Sequence, residues 1–517
     1  MPVCFPGIDL GTSGTKALVL RADGTIVAHS TRKYETKIPR PSWTEQNPSD
    51  WWNATRGAVS EVLQADGVHA SQIEGIGLTG QMHGLVPLDS QGAVLRPVIL
   101  WNDQRTRAAC DRIHERVGRE RVVGLTGNPV LPGFTAPKIL WMREHEPHLH
   151  DRIATILLPK DYLRYKLTGT YATDVSDASG TALFDVEHRR WSDEMIKAID
   201  LPSSWLPPVI ESSTVSAHLS EEVASEMGLP SGIPVVGGAG DQAASAVGTA
   251  AVQEGTVSIT MGTSGVVFAT SNEYRADPAG RLHAFCHAVP DTWHLMGVML
   301  SAAGSLRWFR NNFLLENLGE GKEDTLSYDE LISETQTVLT GADGLLFLPY
   351  LSGERTPHAD PNARGVFFGL HLGHEREHLT RSILEGVAFG LRDSMELMTE
   401  LGLSAEEIRV SGGGAQSAHW RQILSDVLDA DLVHTTVPHG AAVGAALLAG
   451  VGAGVYDSVR EAARIVYDEA GVTAPAQDRR HYDALYERFK ALYPALDDHF
   501  DSLVDVAEQL KEKRETS

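Results

Sequence analysis

The chain is poor in cysteine: among its 517 residues there are three, Cys4, Cys110 and Cys286. An odd number excludes complete pairing in disulfides, and the wide spacing matches no zinc-binding framework. Such usage is typical of a protein kept in a reducing compartment. No basic segment precedes the first apolar residues, so we expect a cytoplasmic protein without a signal peptide.

Long hydrophobic runs and an excess of basic residues are also missing. The most apolar stretch, residues 441–455, is short for a membrane span and rich in Gly and Ala, which favours a tightly packed buried helix. The 44 basic side chains are outnumbered by 68 acidic ones, which gives a formal net charge of −24. This charge argues against binding to nucleic acid or to an anionic membrane. A nucleotide is still permitted, because backbone N–H groups and Mg²⁺ can form a local phosphate site.

Glycine, by contrast, is plentiful, and one glycine-bounded turn occurs twice. The chain is too long for a single core, so at least two domains are expected. The tetrapeptide Gly-Thr-Ser-Gly stands at residues 11–14 and again at residues 262–265, each time between strand-like runs. Two similar halves indicate a duplicated fold with a cleft at the junction. Such a turn can point N–H and hydroxyl groups at a phosphate, although one copy alone is more simply a plain hairpin.

A single carboxylate stands between the two repeated turns. Residues 235–242 read as a short apolar run, four small residues, and then Asp241 and Gln242. A strand that ends on such a turn can place a catalytic base in a cleft. The same pattern also fits an Asp that caps the following helix. The stretch by itself favours the cap, and the flanking pair of turns favours the base.

Three further clusters follow predicted strands. Gln81, Met82 and His83 lie between glycines, and Trp101, Asn102 and Asp103 form a second polar and aromatic run. Sugar sites use such hydrogen-bonding side chains beside an aromatic face. The alternatives without a function are that His83 is a buried histidine with its hydrogen bonds made inside the protein, and that Trp101 belongs to the core. For both residues the two interpretations stay open. The third cluster, the glycines of residues 412–414, would let a nucleotide approach closely, or is an ordinary turn.

Two long motifs resemble the signatures of the FGGY family of carbohydrate kinases. Residues 133–145 fit one signature in full, and residues 365–370 with 378–385 fit the other. The resemblance extends from about Gly7 to about residue 455. Shorter motifs resemble the members of this family that act on D-xylulose; they lie at residues 81–84, 100–103, 158–163, 285–288 and 349–358.

The resemblance implies an α/β protein with two duplicated actin-like (ribonuclease-H-like) domains around a central cleft. Residues 1–247 would form the N-terminal, sugar-binding domain. Residues 248–517 would form the C-terminal, nucleotide-binding domain, with a helical tail from Arg479 to Lys513. The implied reaction is ATP-dependent phosphorylation of D-xylulose to D-xylulose 5-phosphate, with Mg²⁺.

The family's functional residues can be carried over position by position. The catalytic base falls on Asp241, and the second acid, Asp9, would hold Mg²⁺ through water. Substrate binding is expected from Gln81, Met82, His83, Trp101, Asn102, Asp103 and Gln242. ATP binding is expected from Gly11, Thr12, Ser13, Gly262, Thr263, Ser264, Gly412, Gly413, Gly414 and Ala415.

One position departs from the pattern of the D-xylulose branch, which has Asn where this chain has Gln242. The substrate is therefore less closely defined than the reaction, and a kinase for ribulose, gluconate or glycerol is the nearest alternative. Two alternatives of another class are an actin-like ATPase and a sugar-binding regulator without catalysis. The expected partners are the sugar and ATP, with no nucleic acid and no membrane, and assembly as a homodimer is left open.

Overall fold

The computed structural model describes residues 2–314, 327–467, 469–476 and 480–515. Short strands dominate the first half of the chain. In chain order the strands are β1 Cys4–Leu10, β2 Gly14–Arg21, β3 Ile26–Lys33, β4 Glu45–Gln46, β5 Gly77–Gly80, β6 Val86–Leu88, β7 Val98–Ile99, β8 Thr155–Leu157, β9 Thr173–Asp174, β10 Phe184–Asp185, β11 Arg190–Trp191, β12 Val209–Ile210, β13 Val215–His218, β14 Pro234–Val236, β15 Ala239–Gly240, β16 Thr256–Met261, β17 Gly265–Ser271, β18 His283–Cys286, β19 Trp293–Met299, β20 Leu346–Leu348, β21 Val366–Phe368, β22 Glu407–Ser411, β23 Leu432–Thr435 and β24 Glu469–Thr473.

Three of the helices given below begin at a proline. The first begins at Pro48, which suits the first turn because its missing N–H needs no partner there. The helices are α1 Pro48–Leu63, α2 Arg107–Val117, α3 Arg119–Thr126, α4 Thr135–His145, α5 Pro147–His150, α6 Pro159–Thr168, α7 Val175–Ala178, α8 Asp193–Ala198, α9 Glu221–Met227, α10 Asp241–Gly248, α11 Ala303–Phe309, α12 Tyr328–Glu334, α13 Arg376–Glu400, α14 Ala418–Leu428, α15 Gly440–Gly452, α16 Val459–Ile465 and α17 Arg480–Glu515.

The chain folds into two compact units, and each unit is assembled from separate stretches of sequence. Unit 1 comprises Met1–Glu254, Thr270–Leu295 and Val437–Asp468. Unit 2 comprises Gly255–Ala269, Met296–Thr436 and Glu469–Ser517. The boundary expected between residues 247 and 248 follows the order of the sequence and stays a prediction. Helix α17 lies where the helical tail was expected, and Arg479 lies outside the described residues.

Unit 1 contains a five-stranded sheet in the order β15-β5-β1-β2-β3. Strands β1, β2 and β3 form an antiparallel meander, and the first Gly-Thr-Ser-Gly turn joins β1 to β2. Strand β5 pairs in parallel with both β1 and β15. Parallel strands end at the same edge of a sheet, so the residues that follow β1, β5 and β15 are brought close together.

Unit 2 repeats this plan. Strands β17-β16-β22-β23-β24 stand in this order within a seven-stranded sheet. Strands β16 and β17 form an antiparallel hairpin around the second Gly-Thr-Ser-Gly turn, and β22 pairs in parallel with β16. In both units, therefore, a hairpin bearing the same turn lies beside a parallel strand, as expected of a duplicated fold.

Helix α15 fills the core of unit 1, as the apolar run of residues 441–455 predicts. It packs against β1, β5 and α10, and small residues permit the close approach. A Cβ atom at Gly7 would overlap the carbonyl of Ala442, and one at Gly444 would overlap the carbonyl of Ala244. Among the described residues, no helix combines the length and the apolarity needed to cross a membrane.

This packing predicts the effect of Gly444→Ala. The added methyl group has no room beside the Ala244 carbonyl, so the free energy of unfolding should fall by about 1–3 kcal/mol. Gly124→Ala is the matched control, because Gly124 lies within α3 and a Cβ there meets nothing within 4 Å. That control should gain about 0.5–1 kcal/mol. Urea denaturation of both variants measures the difference, and equal effects would contradict the packing argument.

Candidate active site

The ends of three parallel strands bring the two predicted acids together in unit 1. Asp9 on β1 pairs with Thr79 on β5, and Thr79 pairs with Ala239 on β15. Asp241 follows β15 by one residue. Strand spacing then puts the Cα atoms of Asp9 and Ala239 about 10 Å apart, with Asp241 just beyond the same edge.

The two carboxyl groups influence one another. The pKa of Asp241 is raised to about 7, chiefly by burial and also by the charge of Asp9, while hydrogen bonds from Gln242 oppose the shift. Burial also raises the pKa of Asp9 to about 6, against the opposing charge of Lys16. Two neighbouring carboxylates with one nearby cation, Lys16, form a site that is negative when both acids are ionised. Such a site suits a bound cation and a proton acceptor.

Asp241 does not cap helix α10. It is the first residue of that helix, and the capping position is Gly240, which has no side chain to offer. The helix-cap reading is therefore not the arrangement in the structure, and the side chain is left for another role.

The glycines before Asp241 hold the turn against its neighbours. Gly238 has a φ of 71°, and a Cβ atom there would overlap the carbonyl of Leu78. A Cβ atom at Gly240 would lie 2.9 Å from the sulfur of Met82. The small residues thus let the turn that carries the acid pack directly on β5 and on the predicted sugar-binding Met82.

His83 is held from several sides. Its Nδ1 lies 2.6 Å from the carbonyl oxygen of Gly180, which assigns the ring proton to Nδ1 because a carbonyl only accepts. The ring stacks on Phe134 with centroids 4.6 Å apart. The buried ammonium of Lys138 donates to the His83 carbonyl at 2.9 Å. With φ at 70°, His83 adopts a left-handed conformation that these contacts maintain.

Trp101 and Asn102 are both exposed at the surface of unit 1. Trp101 is 37% exposed, which excludes the core-aromatic reading, and its indole N–H donates to the Thr12 hydroxyl at 3.1 Å. The side-chain oxygen of Asn102 accepts from the Thr44 hydroxyl at 2.7 Å. The contact with Thr12 joins the predicted sugar cluster to the first Gly-Thr-Ser-Gly turn.

Asp103 does not share that exposed surface. Its side chain is fully buried, and its carboxylate accepts hydrogen bonds from the guanidinium of Arg105 and from the backbone N–H of Thr44. This geometry favours a role in shaping the loop under Trp101 over direct contact with a ligand. In the sequence, Arg105 stands two residues after Asp103, and this spacing could have indicated such an internal ion pair.

Gln81 is also buried, and Gln46 connects it to the first turn. The amide of Gln81 donates to Gln46 at 3.0 Å, and the amide of Gln46 donates to the Thr12 carbonyl at 2.6 Å. Trp51 donates to the same Gln46 oxygen at 2.9 Å. Gln46 is thus a site residue that the sequence analysis missed, since nothing in its local pattern marks it.

The second Gly-Thr-Ser-Gly turn is exposed at Thr263 and Ser264 in unit 2. The N–H of Gly262 donates to Ser264 at 3.0 Å, and the carbonyl of Thr263 accepts from the N–H groups of Ala302 and Gly304. The residues that begin helix α11 therefore fix the turn, while its hydroxyl groups face outward, as a phosphate-binding turn requires.

The glycines after β22 lie beside this turn. Gly412 has a φ of 92°, and a Cβ atom there would lie 2.7 Å from the carbonyl oxygen of Met261. Gly413 is exposed, and a Cβ atom there meets nothing within 4 Å. Gly414 and Ala415 are buried behind them. Unit 2 thus brings together two of the three predicted ATP-binding turns, at the ends of the parallel strands β16 and β22.

Comparison with known proteins agrees with these arrangements. Residues 4–248 match the N-terminal domain of the FGGY family of carbohydrate kinases, and residues 257–453 match the C-terminal domain. A xylulose kinase from Escherichia coli K12 is 43% identical over 493 residues, which cover 95% of this chain and 99% of that protein. One from Bacillus subtilis 168 is 38% identical over 488 residues, 94% of this chain and 96% of that protein.

Solved structures support the same assignment. The crystal structure of a xylulose kinase from Rhodospirillum rubrum superposes with a TM-score of 0.88 at 32% identity, covering 97% of this chain and 100% of that chain. The expected fold of two actin-like (ribonuclease-H-like) α/β domains is thereby confirmed. Both family domains and full-length relatives are present, so the chain belongs to the FGGY family of carbohydrate kinases.

Proposed function

We propose that the protein transfers the γ-phosphoryl group of ATP to D-xylulose and releases D-xylulose 5-phosphate. The observation that carries the proposal is the convergence of Asp9, Asp241 and the Met82–His83 pair at one edge of the sheet of unit 1. The relatives named as xylulose kinases, with 38% and 43% identity over nearly the full chain, support the choice of sugar.

Asp241 acts as the general base. It accepts the proton of the attacking sugar hydroxyl, O5 of D-xylulose, as that oxygen bonds to phosphorus. A pKa of about 7 matches this task, because such a carboxylate is basic enough to take a proton and is still ionised at slightly alkaline pH. Met82 gives apolar contact, and His83, Trp101, Asn102 and Gln242 bind the sugar hydroxyls.

Kinase function in this family implies ATP and a divalent metal ion, and the residues fit Mg²⁺. Among the described residues, no group of three or more His, Cys, Asp or Glu side chains could hold a metal on its own. This suits Mg²⁺, which keeps several waters and takes one or two carboxylates beside the phosphates. Asp9 would hold it through water. When bound, the ion neutralises charge on the phosphoryl oxygens.

The nucleotide is bound by the glycine-rich turns. In unit 2, backbone N–H and hydroxyl groups of the turn 262–264 bind the phosphates. The corresponding turn of unit 1, formed by Gly11, Thr12 and Ser13, stays a predicted ATP-binding element. The turn formed by residues 412–415 receives the adenosine, for which its open Gly413 leaves space. In both sites exposed backbone and small side chains allow the close approach that a phosphate or an adenine ring needs.

The proposal is tested by measuring ATP consumption with Mg²⁺ in the presence and absence of D-xylulose, D-ribulose, L-ribulose, L-xylulose, gluconate and glycerol. Strong stimulation by D-xylulose alone is expected. Stimulation by another polyol would keep the kinase and move its specificity to that substrate. ATPase activity without any sugar dependence would favour an actin-like ATPase, and binding of sugar without turnover would favour a regulator.

The contact between His83 and Gly180 predicts a defect in sugar binding. In Gly180→Ala the added Cβ would lie 2.5 Å from the His83 ring, so the imidazole must move and its hydrogen bond to the carbonyl is lost. We expect the KM for the sugar to rise by about tenfold, the value of one hydrogen bond. The kcat should change less, because Asp241 is untouched. Initial-rate kinetics measure both, and an unchanged KM would remove His83 from the sugar site.

A further inference from the structure

A buried cluster of charged groups lies behind the turn that carries Asp241. The ammonium of Lys160, on helix α6, lies 2.6 Å from Asp161, 2.7 Å from Asp174 and 3.3 Å from Asp177. The guanidinium of Arg164, one turn further along α6, lies 2.7 Å from the same Asp161 oxygen. All five side chains are at most 1% exposed. So many buried charges require near-complete pairing.

The charges balance once Asp177 is protonated. Burial raises the pKa of Asp177 well above its usual range, and the carboxylates of Asp161 and Asp174 add to the effect. Burial acts in the same direction on Asp161, but the charges of Lys160 and Arg164 lower its pKa. Two cations then face two carboxylates and one neutral acid. The cluster is therefore a fixed, neutral scaffold within unit 1.

A short relay connects this scaffold to the catalytic turn. Asp174 accepts a hydrogen bond from the hydroxyl of Ser176 at 2.6 Å. That hydroxyl accepts in turn from the backbone N–H of Gly240 at 3.0 Å, and Gly240 directly precedes Asp241. Because a carboxylate only accepts, the Ser176 proton must point to Asp174, and a lone pair is left for Gly240. The direction of both bonds is thus fixed.

The other end of the turn is attached to helix α6, which carries Lys160 and Arg164 of the same scaffold. The guanidinium of Arg164 donates to the carbonyl of Gly237 at 2.8 Å. The turn of residues 237–240 is therefore held at its first residue by Arg164 and at its last by Ser176. Neither contact involves the side chain of Asp241, so the scaffold acts on the backbone that aims the carboxylate.

From this geometry we infer that Ser176, oriented by Asp174 and Lys160, is a positioning residue that aims Asp241 at the sugar hydroxyl. The inference rests on the proposed function, in which Asp241 is the base. The hydroxyl of Ser176 bonds to the backbone N–H of Gly240, next to the base, so its loss should disturb the approach of the base more than the binding of the sugar. A small misplacement of a catalytic group reduces the rate strongly.

The test is a graded series at Ser176 with a matched control. Ser176→Ala removes the acceptor, and Ser176→Cys keeps the size but offers a weak acceptor. We expect kcat to fall by about 10–100-fold in the Ala variant and by several-fold in the Cys variant, with the sugar KM within about threefold of the wild type. Lys160 and Asp174 are unsuitable for this test, because breaking a buried ion pair strongly destabilises a protein.

Ser212→Ala is the matched control. The hydroxyl of Ser212 donates to the same oxygen of Asp174 at 2.9 Å and is equally buried, but it has no bond to Gly240. Its contact with the turn is through its backbone carbonyl, which accepts from Gly238 and is unchanged in the variant. The thermal midpoints of Ser176→Ala and Ser212→Ala should fall alike, while kcat should fall only in the former. Should Ser176→Ala fail to fold, the Cys variant provides the same comparison.

The outcomes separate the inference from the proposed function. If Asp241→Asn, measured alongside, keeps its sugar-dependent activity, both the base and its positioning residue are wrong. If Asp241→Asn is inactive while the Ser176 variants match Ser212→Ala in kcat, the base stands and the positioning role is overturned. A kcat loss in Ser176→Ala that is absent in Ser212→Ala supports the inference.

Discussion

Replacing Asp241 by Asn should reduce the kcat/KM for the sugar by about 10²–10⁴-fold, the range that general-base catalysis contributes. The amide has nearly the same shape as the carboxylate but cannot take the hydroxyl proton. Binding of the sugar should persist, because His83 and Trp101 keep their contacts. Steady-state kinetics with a coupled ADP assay, together with a sugar-binding titration, measure the two effects separately.

The same variant should not lose stability, which distinguishes lost chemistry from lost folding. The pKa of Asp241 is raised to about 7 from an ordinary value of 3.8, so the folded protein prefers the neutral acid. As the pH rises from about 4 to about 7, ionisation of this group removes stability from the wild type. Asn removes that penalty, and the thermal midpoint should gain more at pH 8 than at pH 5. A variant less stable than the wild type at pH 8 would contradict this description of the site.

Replacing Asp9 by Asn should reduce kcat by about 10²–10³-fold, because a bound metal ion stabilises the transferring phosphoryl group by several kcal/mol. The concentration of Mg²⁺ needed for half-maximal activity should rise as well. Titration of activity with Mg²⁺ measures both effects. Activity at the wild-type level with an unchanged Mg²⁺ requirement would remove Asp9 from the metal site.

Without Mg²⁺, Asp9→Asn should also change how stability depends on pH. The charge of Asp9 helps to raise the pKa of Asp241, and the pKa of Asp9 is itself raised to about 6. The wild type therefore loses stability as the pH rises from about 4 to about 7, because both Asp9 and Asp241 ionise in that range. In the variant one group no longer titrates and the other has a lower pKa. The fall in thermal midpoint between pH 5 and pH 8 should be smaller, and an equal fall would contradict both the raised pKa of Asp9 and its effect on Asp241.

Local patterns predict much of the fold because they record short-range physics. The repeated Gly-Thr-Ser-Gly turns lie between paired strands in both units, and the apolar run of residues 441–455 is the core of helix α15. In each case neighbouring residues determine the conformation, through turn geometry or helical packing. Asp241 stands out as a lone acid after a glycine-rich strand end, but the pattern by itself favours a helix cap, and its role as the base stays a prediction.

Contacts between charged residues that lie far apart in the sequence could not be predicted from such local patterns. Lys160 and Asp161 are two adjacent charged residues in the sequence, a composition typical of the surface, yet both side chains are fully buried in helix α6. Their burial depends on Asp174 and Asp177, more than ten residues away, and no local pattern reports that pairing. The partners of Asp103 were equally invisible: its residue type suits a sugar ligand, and the sequence does not show that Arg105 and Thr44 bind its carboxylate. Its role in sugar binding stays a prediction.

Helix α15 has a consequence for how the protein is made. Unit 1 needs Val437–Asp468 to cover β1 and β5, but those strands leave the ribosome first. At about 5–20 residues per second, the ribosome needs roughly 10–40 s to pass from Glu254 to the end of that segment. During this time the surfaces around Gly7 and Gly77 lack their covering helix. The nascent first unit therefore presents apolar surface throughout the synthesis of most of the second.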